Sequence, residues 1–319
     1  MRQEHRPDRI DVLGLGAVAV DDMLFLDHFP LPDSKMAIRR AERRAGGNTG
    51  TALVAARRMG GSAAYAGALG SDELSRFVLD GLTAEGVDVG SLVRTGTARP
   101  FHSTILIDTR TQTRTILYNQ DNVIGASDAG PPDEIIRGAR TLLVDFVGVP
   151  GMVRAARVAR AAGVPVIADL ERAENPLFPE LLALADHLIL PDHFAREISG
   201  AADSPSAVRA LWAPGRAAVV VTRSADGCWY MTAEEGGKVF HQPAFSVTEV
   251  DTNGCGDVFH GVYAVGLCEG MRAAPRIRFA SLVAALKATQ AGGQKAIPLR
   301  AEADRFAAAR SSEAPRSEC

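Results

Sequence analysis

At 319 residues, with 46% hydrophobic side chains and a net charge of -3, the chain is long enough for one large α/β domain or two smaller ones. No basic excess points to a nucleic-acid partner, and no apolar run approaches the roughly 20 residues of a membrane-spanning helix. Four cysteines (Cys228, Cys255, Cys268, Cys319) stand far apart without a C-x-x-C pair, so neither a zinc site nor a disulfide framework is indicated. Met1 to Arg9 is charged and polar with no apolar signal core, which leads to the expectation of a cytoplasmic protein.

In chain order, Asp11 to Val20 is an apolar run ending at Asp21 and reads as a buried strand. Met23 to Phe29 and Met36 to Arg43 are mixed, half-exposed extended pieces. Asn48 to Met59 is rich in small residues and helical, Ala63 to Leu69 is strand-like, and Asp72 to Glu85 is an amphipathic helix. Ser91 to Thr95, Phe101 to Asp108 and Arg114 to Gln120 interleave Thr, Arg and Gln with apolar residues, the alternation of a sheet with one wet face.

From Thr141 the pattern changes. Leu142 to Asp145, Val164 to Asp169, His187 to Leu190 and Ala217 to Thr222 read as fully buried strands. Helices near Gly151 to Ala162, Pro179 to Leu184, His193 to Ser199 and Ser206 to Leu211 lie between or beside them. Such βα alternation implies a parallel sheet covered on both faces. Gly227 to Thr232 and Lys238 to Phe245 suggest antiparallel edge strands, followed by helices over Gly254 to Cys268 and Ala274 to Gln290. Arg310 to Cys319 is polar and is expected to fray. The fold class expected is α/β: a single domain over 1–319 with a doubly wound, mainly parallel sheet. A small β-sheet lid, built from segments near 22–43 and 91–120, is inserted in that body.

Ligands in open α/β sheets gather at the carboxyl ends of the strands, where the sequence places Asp21, Asp145, Asp169 and Thr222. The most informative run is Asp251-Thr-Asn-Gly-Cys-Gly-Asp257 ahead of an apolar helix. Glycines on both sides of Cys255 let the backbone amides of Gly254, Cys255 and Gly256 point into one space at a helix N-terminus, a trap for a phosphate or developing oxyanion. A carboxylate beside a trapped phosphate makes sense if Asp257 takes a proton from a hydroxyl that then attacks. The blander reading is a glycine-rich turn capped by Asp257.

Gly46-Gly47-Asn48 offers a second site, because a double glycine lets a ligand approach the backbone and an amide can bond paired hydroxyls as donor and acceptor. Asn48 as a plain N-cap is the alternative. Lys35 and Arg39 in the first lid segment are candidates to hold an anion, against the commoner reading as solvated charges. Asp169, Glu171 and Arg172 read as an ion-pair network at a strand end, and His260 as a polar neighbour of Asp257 more readily than a base.

Two stretches, "GGNTGTALVAARRMGG" and "DTNGCGDVFHGVYA", in this order and separation, give the chain a resemblance to the ribokinase-like (PfkB) carbohydrate kinases. The resemblance runs from the strand ending at Asp21 to Gly292-Gly293. It implies that Asp257 is the base and the 254–256 amides the anion hole. By the same likeness Asp21, Gly46, Gly47 and Asn48 bind sugar hydroxyls, with Lys35 near the distal end of the sugar. Thr222 and Gly227 would line the site of ATP, and Asp251 lies where relatives often bind a monovalent cation such as K+. Magnesium accompanies ATP in such kinases. Where many relatives have Asn-x-x-Glu for its hydration shell, this chain has Asp192-His193-Phe194-Ala195 with Glu197 displaced, leaving Asp192 to serve.

In relatives the lid is often a dimer clasp, so a homodimer is expected, with Phe101, Ile105 and Ile107 as its apolar residues. "LGAVAVDDMLFLDHFP", "ADHLILPDHFAREISG" and "DVFHG" are most similar to the bacterial ketohexokinase branch, which includes sulfofructose kinases. The expected reaction is ATP-dependent phosphorylation of a hydroxymethyl group on a small sugar, a ketohexose such as fructose. Alternatives are a nucleoside kinase, a sulfofructose kinase, or a non-catalytic sugar-binding homologue.

Overall fold

The structure is a computed structural model that describes residues 9–111 and 113–310. The frayed tail expected over 310–319 and the polar start over 1–9 lie almost wholly outside the described residues.

The sequence run read as one strand over 11–20 is two. β1 (Val12–Leu15) is buried in the large sheet, and β2 (Ala19–Leu26) belongs to another. The break falls at Gly16, whose φ of 146° lies outside the range of most side chains, and whose added Cβ would meet the Asp145 carboxylate at 2.2 Å. Asp21 therefore sits on a strand of the smaller sheet and not at the carboxyl end of a large-sheet strand. β3 (Arg40–Gly46) returns antiparallel to β2 and leads directly into α1 (Asn48–Arg58).

The strand expected over 63–69 is also interrupted, as β4 (Ala63–Tyr65) and β5 (Ala68–Leu69). α2 (Glu73–Ala84) starts at Asp72, whose carboxylate accepts from the Leu74 and Ser75 N–H groups, a cap of the kind that contributes about 1 kcal/mol. β6 (Val93–Arg94) pairs with β5, so the 91–95 segment is not part of the small sheet. β7 (Phe101–Asp108) and β8 (Thr113–Asn119) complete that sheet in the order β3-β2-β7-β8.

After α3 (Asp133–Gly138) come β9 (Thr141–Val144), α4 (Val149–Ala161), β10 (Val166–Asp169), α5 (Phe178–Leu184) and β11 (His187–Pro191). α6 (Asp192–Ser199), α7 (Ser204–Leu211), β12 (Ala218–Thr222), β13 (Cys228–Thr232) and β14 (Val239–Gln242) follow, then α8 (Cys255–Cys268), α9 (Ala273–Ala288) and α10 (Arg300–Ala308). The large sheet runs β14-β13-β12-β11-β10-β9-β1-β4, parallel from β4 to β12 and antiparallel at β13 and β14. This is the expected α/β architecture. α3 and α10 have no counterpart in the sequence reading: α3 is a six-residue helix after two prolines, and α10 buries only Ala303 completely.

Continuous apolar runs form the parallel strands because alternate residues enter different cores. Leu143, Ile167, Ile189 and Val220 face the cluster with α1, α8 and α9, whereas Val144, Ala168, Leu190 and Val221 face the one with α4, α6 and α7. β4 and β9 flank β1 on opposite sides, so the strand order reverses there. A crevice opens at such a switch point. α1 and α8 approach so closely that a Cβ on Gly261 would lie 2.0 Å from the Ala52 carbonyl. That contact sets the two helix N-termini, at Gly47-Asn48 and Gly254-Cys255, side by side.

Candidate active site

Asp257 is the third residue of α8, behind Gly254, which caps the helix in the left-handed region at φ 79°. The carboxylate folds back toward that cap, with Oδ2 3.7 Å from where a Gly254 Cβ would stand. Of the three amides expected in the anion hole, that of Cys255 donates to the Thr252 carbonyl at 3.2 Å. The N–H groups of Gly256 and Asp257 lie in the first helical turn, where no intrahelical carbonyl is available. Gly256 lines a cavity of about 710 Å³, which therefore opens at this helix start.

That cavity is the second half of the site. Asp192, Thr222, Gly227, Cys255 and Phe259 are among its walls. Thr222 ends β12 with its hydroxyl donating to the Leu190 carbonyl at 3.3 Å. Gly227, at φ 87°, passes the β14 end so closely that a Cβ would lie 2.1 Å from the Gln242 carbonyl. Any side chain there would push the hairpin off the cavity. Asp192 opens α6, its Oδ1 accepting from the Ser204 hydroxyl at 2.7 Å and its Oδ2 lying 3.2 Å from Arg196 Nε. Glu197 is exposed and lies outside the cavity wall.

On the other side of Asp257 the carboxyl ends of β9 and β10 bring in more carboxylates. Asp145 accepts from the Ala17 N–H at 2.6 Å, the Val147 N–H at 2.8 Å and the Thr49 hydroxyl at 2.8 Å. Burial nevertheless pushes its carboxyl up to about 7. Asp169 accepts from Asn48 Nδ2 at 3.2 Å. Burial first, then the charges of Asp169, Glu171 and Asp145, raise the Asp257 carboxyl well above its ordinary range, with Lys287 pulling the other way. Desolvation and Asp169 raise the Glu171 carboxyl as well.

Asp21 reaches the same region from the small sheet. Its Oδ2 is 3.3 Å from where a Gly46 Cβ would be, and burial raises its carboxyl against a Ser103 hydrogen bond and the Arg44 charge. Gly47, at φ 87°, runs against Val18, whose Cα would lie 2.5 Å from an added Cβ. Asp21, Gly46, Gly47, Asn48 and Asp257 are thus brought together as expected from the sequence. Lys35 is not drawn into this group: it is exposed in the 27–39 connection beyond the far end of β2. Arg39 is exposed there too, paired with Asp27 at 2.5 Å.

His260 has Nδ1 2.8 Å from the Gly256 carbonyl and Nε2 3.1 Å from the Ile189 carbonyl, with Asp169 Oδ1 at 3.6 Å. Its ring braces the start of α8 against β11. Three residues at the site were not singled out from the sequence as contributors. Arg44 sits 4.0 Å from Asp251, and Glu171 faces Asp257 where a local ion pair with Arg172 was expected. Lys287 is fully buried beneath the 251–253 turn. A lysine inside the apolar run Phe279 to Ala288 was the available signal for the last. Arg172 itself stacks over the Phe146 ring at 5.5 Å and lines a second cavity with Phe101 and Asn175.

The fit of the expected cations differs. Among the described residues no group of three or more His, Cys, Asp or Glu side chains could hold a metal ion, but Asp192 and Glu249 line the large cavity. That suits magnesium, which enters on phosphates and keeps most of its waters. The Asp251 position expected for a monovalent ion is already crowded with donors of the chain itself: its carboxylate accepts from the Asn253 N–H at 3.0 Å and the Gly292 N–H at 3.2 Å, and Arg44 Nη1 and Lys287 Nζ each stand 4.0 Å from it.

The chain is similar to known proteins over most of its length. It is 27% identical over 304 residues to the ribokinase of Haemophilus influenzae, covering 92% of this chain and 96% of that protein. It is 26% identical over 284 residues to fructokinase-1 of Zea mays, covering 81% and 86%. A crystal structure from Agrobacterium tumefaciens, provisionally named a ribokinase, superposes with a TM-score of 0.86 at 30% identity over 95% of this chain and 99% of that one. An Arabidopsis thaliana ribokinase complexed with ribose and ATP gives a TM-score of 0.81 at 21% identity, covering 92% and 97%. The family model described as "pfkB family carbohydrate kinase" matches residues 11–300, and the chain belongs to that family of ATP-dependent sugar kinases.

Proposed function

We propose that this kinase phosphorylates a hydroxymethyl group on a neutral ketohexose, fructose being the reference compound. The observation that carries the reading is the position of Asp257 in the first turn of α8, whose Gly256 lines the large cavity, beside an acceptor-rich group of Asp21, Asn48, Asp169 and Glu171. Carboxylates and an amide match the many hydroxyl donors of a sugar, and their summed negative charge disfavours an anionic one. Arg172 over Phe146 in the second cavity is the observation that favours the other reading, a sugar with a distal sulfonate.

In the reaction, ATP occupies the large cavity with its terminal phosphate at the α8 N-terminus. Gly256 and Asp257 N–H groups receive the charge that builds on the phosphoryl oxygens. Asp257 accepts the proton of the attacking hydroxyl, while Asn48 and Asp21 hold neighbouring hydroxyls and so fix the line of attack. Asp192 and Glu249 in the cavity wall would hold the water shell of a magnesium ion, which would supply positive charge to offset that of the phosphates. A second copy of the chain is the proposed partner, paired along the β8 edge.

An ADP-release screen over ketohexoses, aldopentoses, sulfofructose and nucleosides tests the substrate, with Asp257→Asn as the control. Turnover should be highest with a ketohexose and fall about 10² to 10⁴-fold in the variant, with sugar binding by calorimetry retained. Sulfofructose far above fructose would transfer the assignment to the sulfonate reading. Most of the activity surviving in the variant would remove Asp257 from its role.

A further inference from the structure

The 251–253 turn that precedes the anion hole is built around a buried ammonium. Lys287, near the end of α9, has no solvent exposure. Its Nζ donates to the Asp251 carbonyl at 2.9 Å and to the Asn253 carbonyl, and lies 4.0 Å from Asp251 Oδ1. Two of its N–H bonds thus go to backbone carbonyls, and a carboxylate stands at ion-pair distance from the charge. Around it are Val283, Ala284 and Ala288 of the same helix, apolar neighbours that give a lysine no reason to be there. Burying an ammonium is costly unless it is paired and hydrogen-bonded, and here it is both.

We propose that the Lys287 ammonium is a built-in monovalent cation for this kinase, holding the carbonyls of Asp251 and Asn253 so that the following amides face the transferred phosphoryl group. Free potassium is then not required. A separate ion would compete with the ammonium for these same carbonyls, beside a carboxylate that already accepts from the Asn253 and Gly292 N–H groups, with Lys287 Nζ 4.0 Å from its Oδ1 and Arg44 Nη1 4.0 Å from its Oδ2. Although desolvation opposes it, these donors and the Lys287 charge hold the Asp251 carboxyl below its ordinary value, as a permanent anion needs. The same positive charge opposes the carboxylates crowding Asp257, and so favours its ionised form. Lys287 touches no reacting atom and acts as a positioning residue.

The inference rests on the kinase reading for its rate effect but not for the cation site itself, and two measurements separate them. The first needs no substrate: thermal unfolding of the wild-type protein in potassium, sodium and tetramethylammonium chloride at equal ionic strength. Specific occupancy by an ion raises the unfolding temperature, so the three curves should coincide. A rise specific to potassium would overturn the proposal. The second is turnover of the best sugar from the screen, with ATP supplied as its Tris salt and magnesium present. Wild-type rates should be equal in the three salts, and several-fold stimulation by potassium would also overturn it. Lys287→Ser, which leaves the carbonyl cage without its charge, should lose about 10² to 10³-fold in turnover and regain part of it in potassium or ammonium but not in tetramethylammonium. A lysine with a purely packing role would give a variant indifferent to the salt. Should that variant fail to fold, the wild-type measurements decide.

Discussion

As the proposed base, Asp257 is under two demands that pull against each other. A base must be ionised to accept a proton, yet burial and then the charges of Asp169, Glu171 and Asp145 hold this carboxyl protonated to a higher pH than usual. Because the ionised form is the active one, turnover should rise with pH through that elevated value, so the acid limb of kcat lies above the ordinary carboxylate range. Asp169→Asn removes the largest neighbouring charge and should move the limb to lower pH. The measurement is kcat against pH at saturating sugar, and an unmoved limb would mean that Asp169 does not face the base electrically. The identity of Asp257 was legible because a glycine pair, an aspartate and an apolar helix occur within a few residues. Its electrostatic company was not. Asp169 and Glu171 come from a strand end almost ninety positions earlier, and Lys287 from thirty positions later; nothing local to either stretch says that they meet.

At the scale of elements, the site depends on two helix starts held in register by a contact one helical turn behind Asn48 and Asp257. Gly261 allows α8 to lie against the Ala52 carbonyl of α1, where a Cβ would be 2.0 Å from a backbone atom that cannot rotate away. Gly261→Ala must therefore force the helices apart. It is expected to cost about 1–3 kcal/mol in stability, measured by denaturant unfolding, and to lower kcat because Asn48 and Asp257 separate. A variant with wild-type kcat would show that the helix starts tolerate the shift. The helices themselves, α1 and α8, were readable from small-residue and apolar periodicity. The break at Gly16 was not: the run from Val12 to Val20 is apolar on both sides of it, so the change from one sheet to another leaves no trace in residue type. The change is visible only once Asp145 is seen to occupy the space a side chain would need.

For the whole molecule, the second sheet ends in β8, a strand that no other strand among the described residues pairs on its outer side. All of β8 is exposed, with Ile116, Leu117 and Tyr118 at 48%, 56% and 60%, and its outer edge carries unpaired backbone groups. Exposed edge strands with apolar side chains invite pairing with another chain. The residues named from the sequence for this role are placed differently: Ile105 is buried and Phe101 and Ile107 are half-buried within the sheet. If the proposed homodimer forms along β8, sedimentation at micromolar concentration gives a dimer for the wild-type chain and a monomer for Leu117→Asp. A monomeric wild type would exclude the clasp. The βα order of the body was legible because strands buried on both faces are unbroken apolar runs, whereas the half-wet strands of the small sheet gave their existence but not their limits.

Asp145 sits where all of this is joined. Through three hydrogen bonds it fastens the root of β2 at Ala17, the first turn of α1 at Thr49 and the exit from β9 at Val147. The small sheet swings, if it swings at all, about a pivot pinned to the same carboxylate as the helix that presents Asn48. Under the proposed function, a sugar held at Asn48 would therefore bear on the same carboxylate that fastens the small sheet, whereas a nucleotide in the large cavity, whose walls include neither Ala17 nor Thr49, would not.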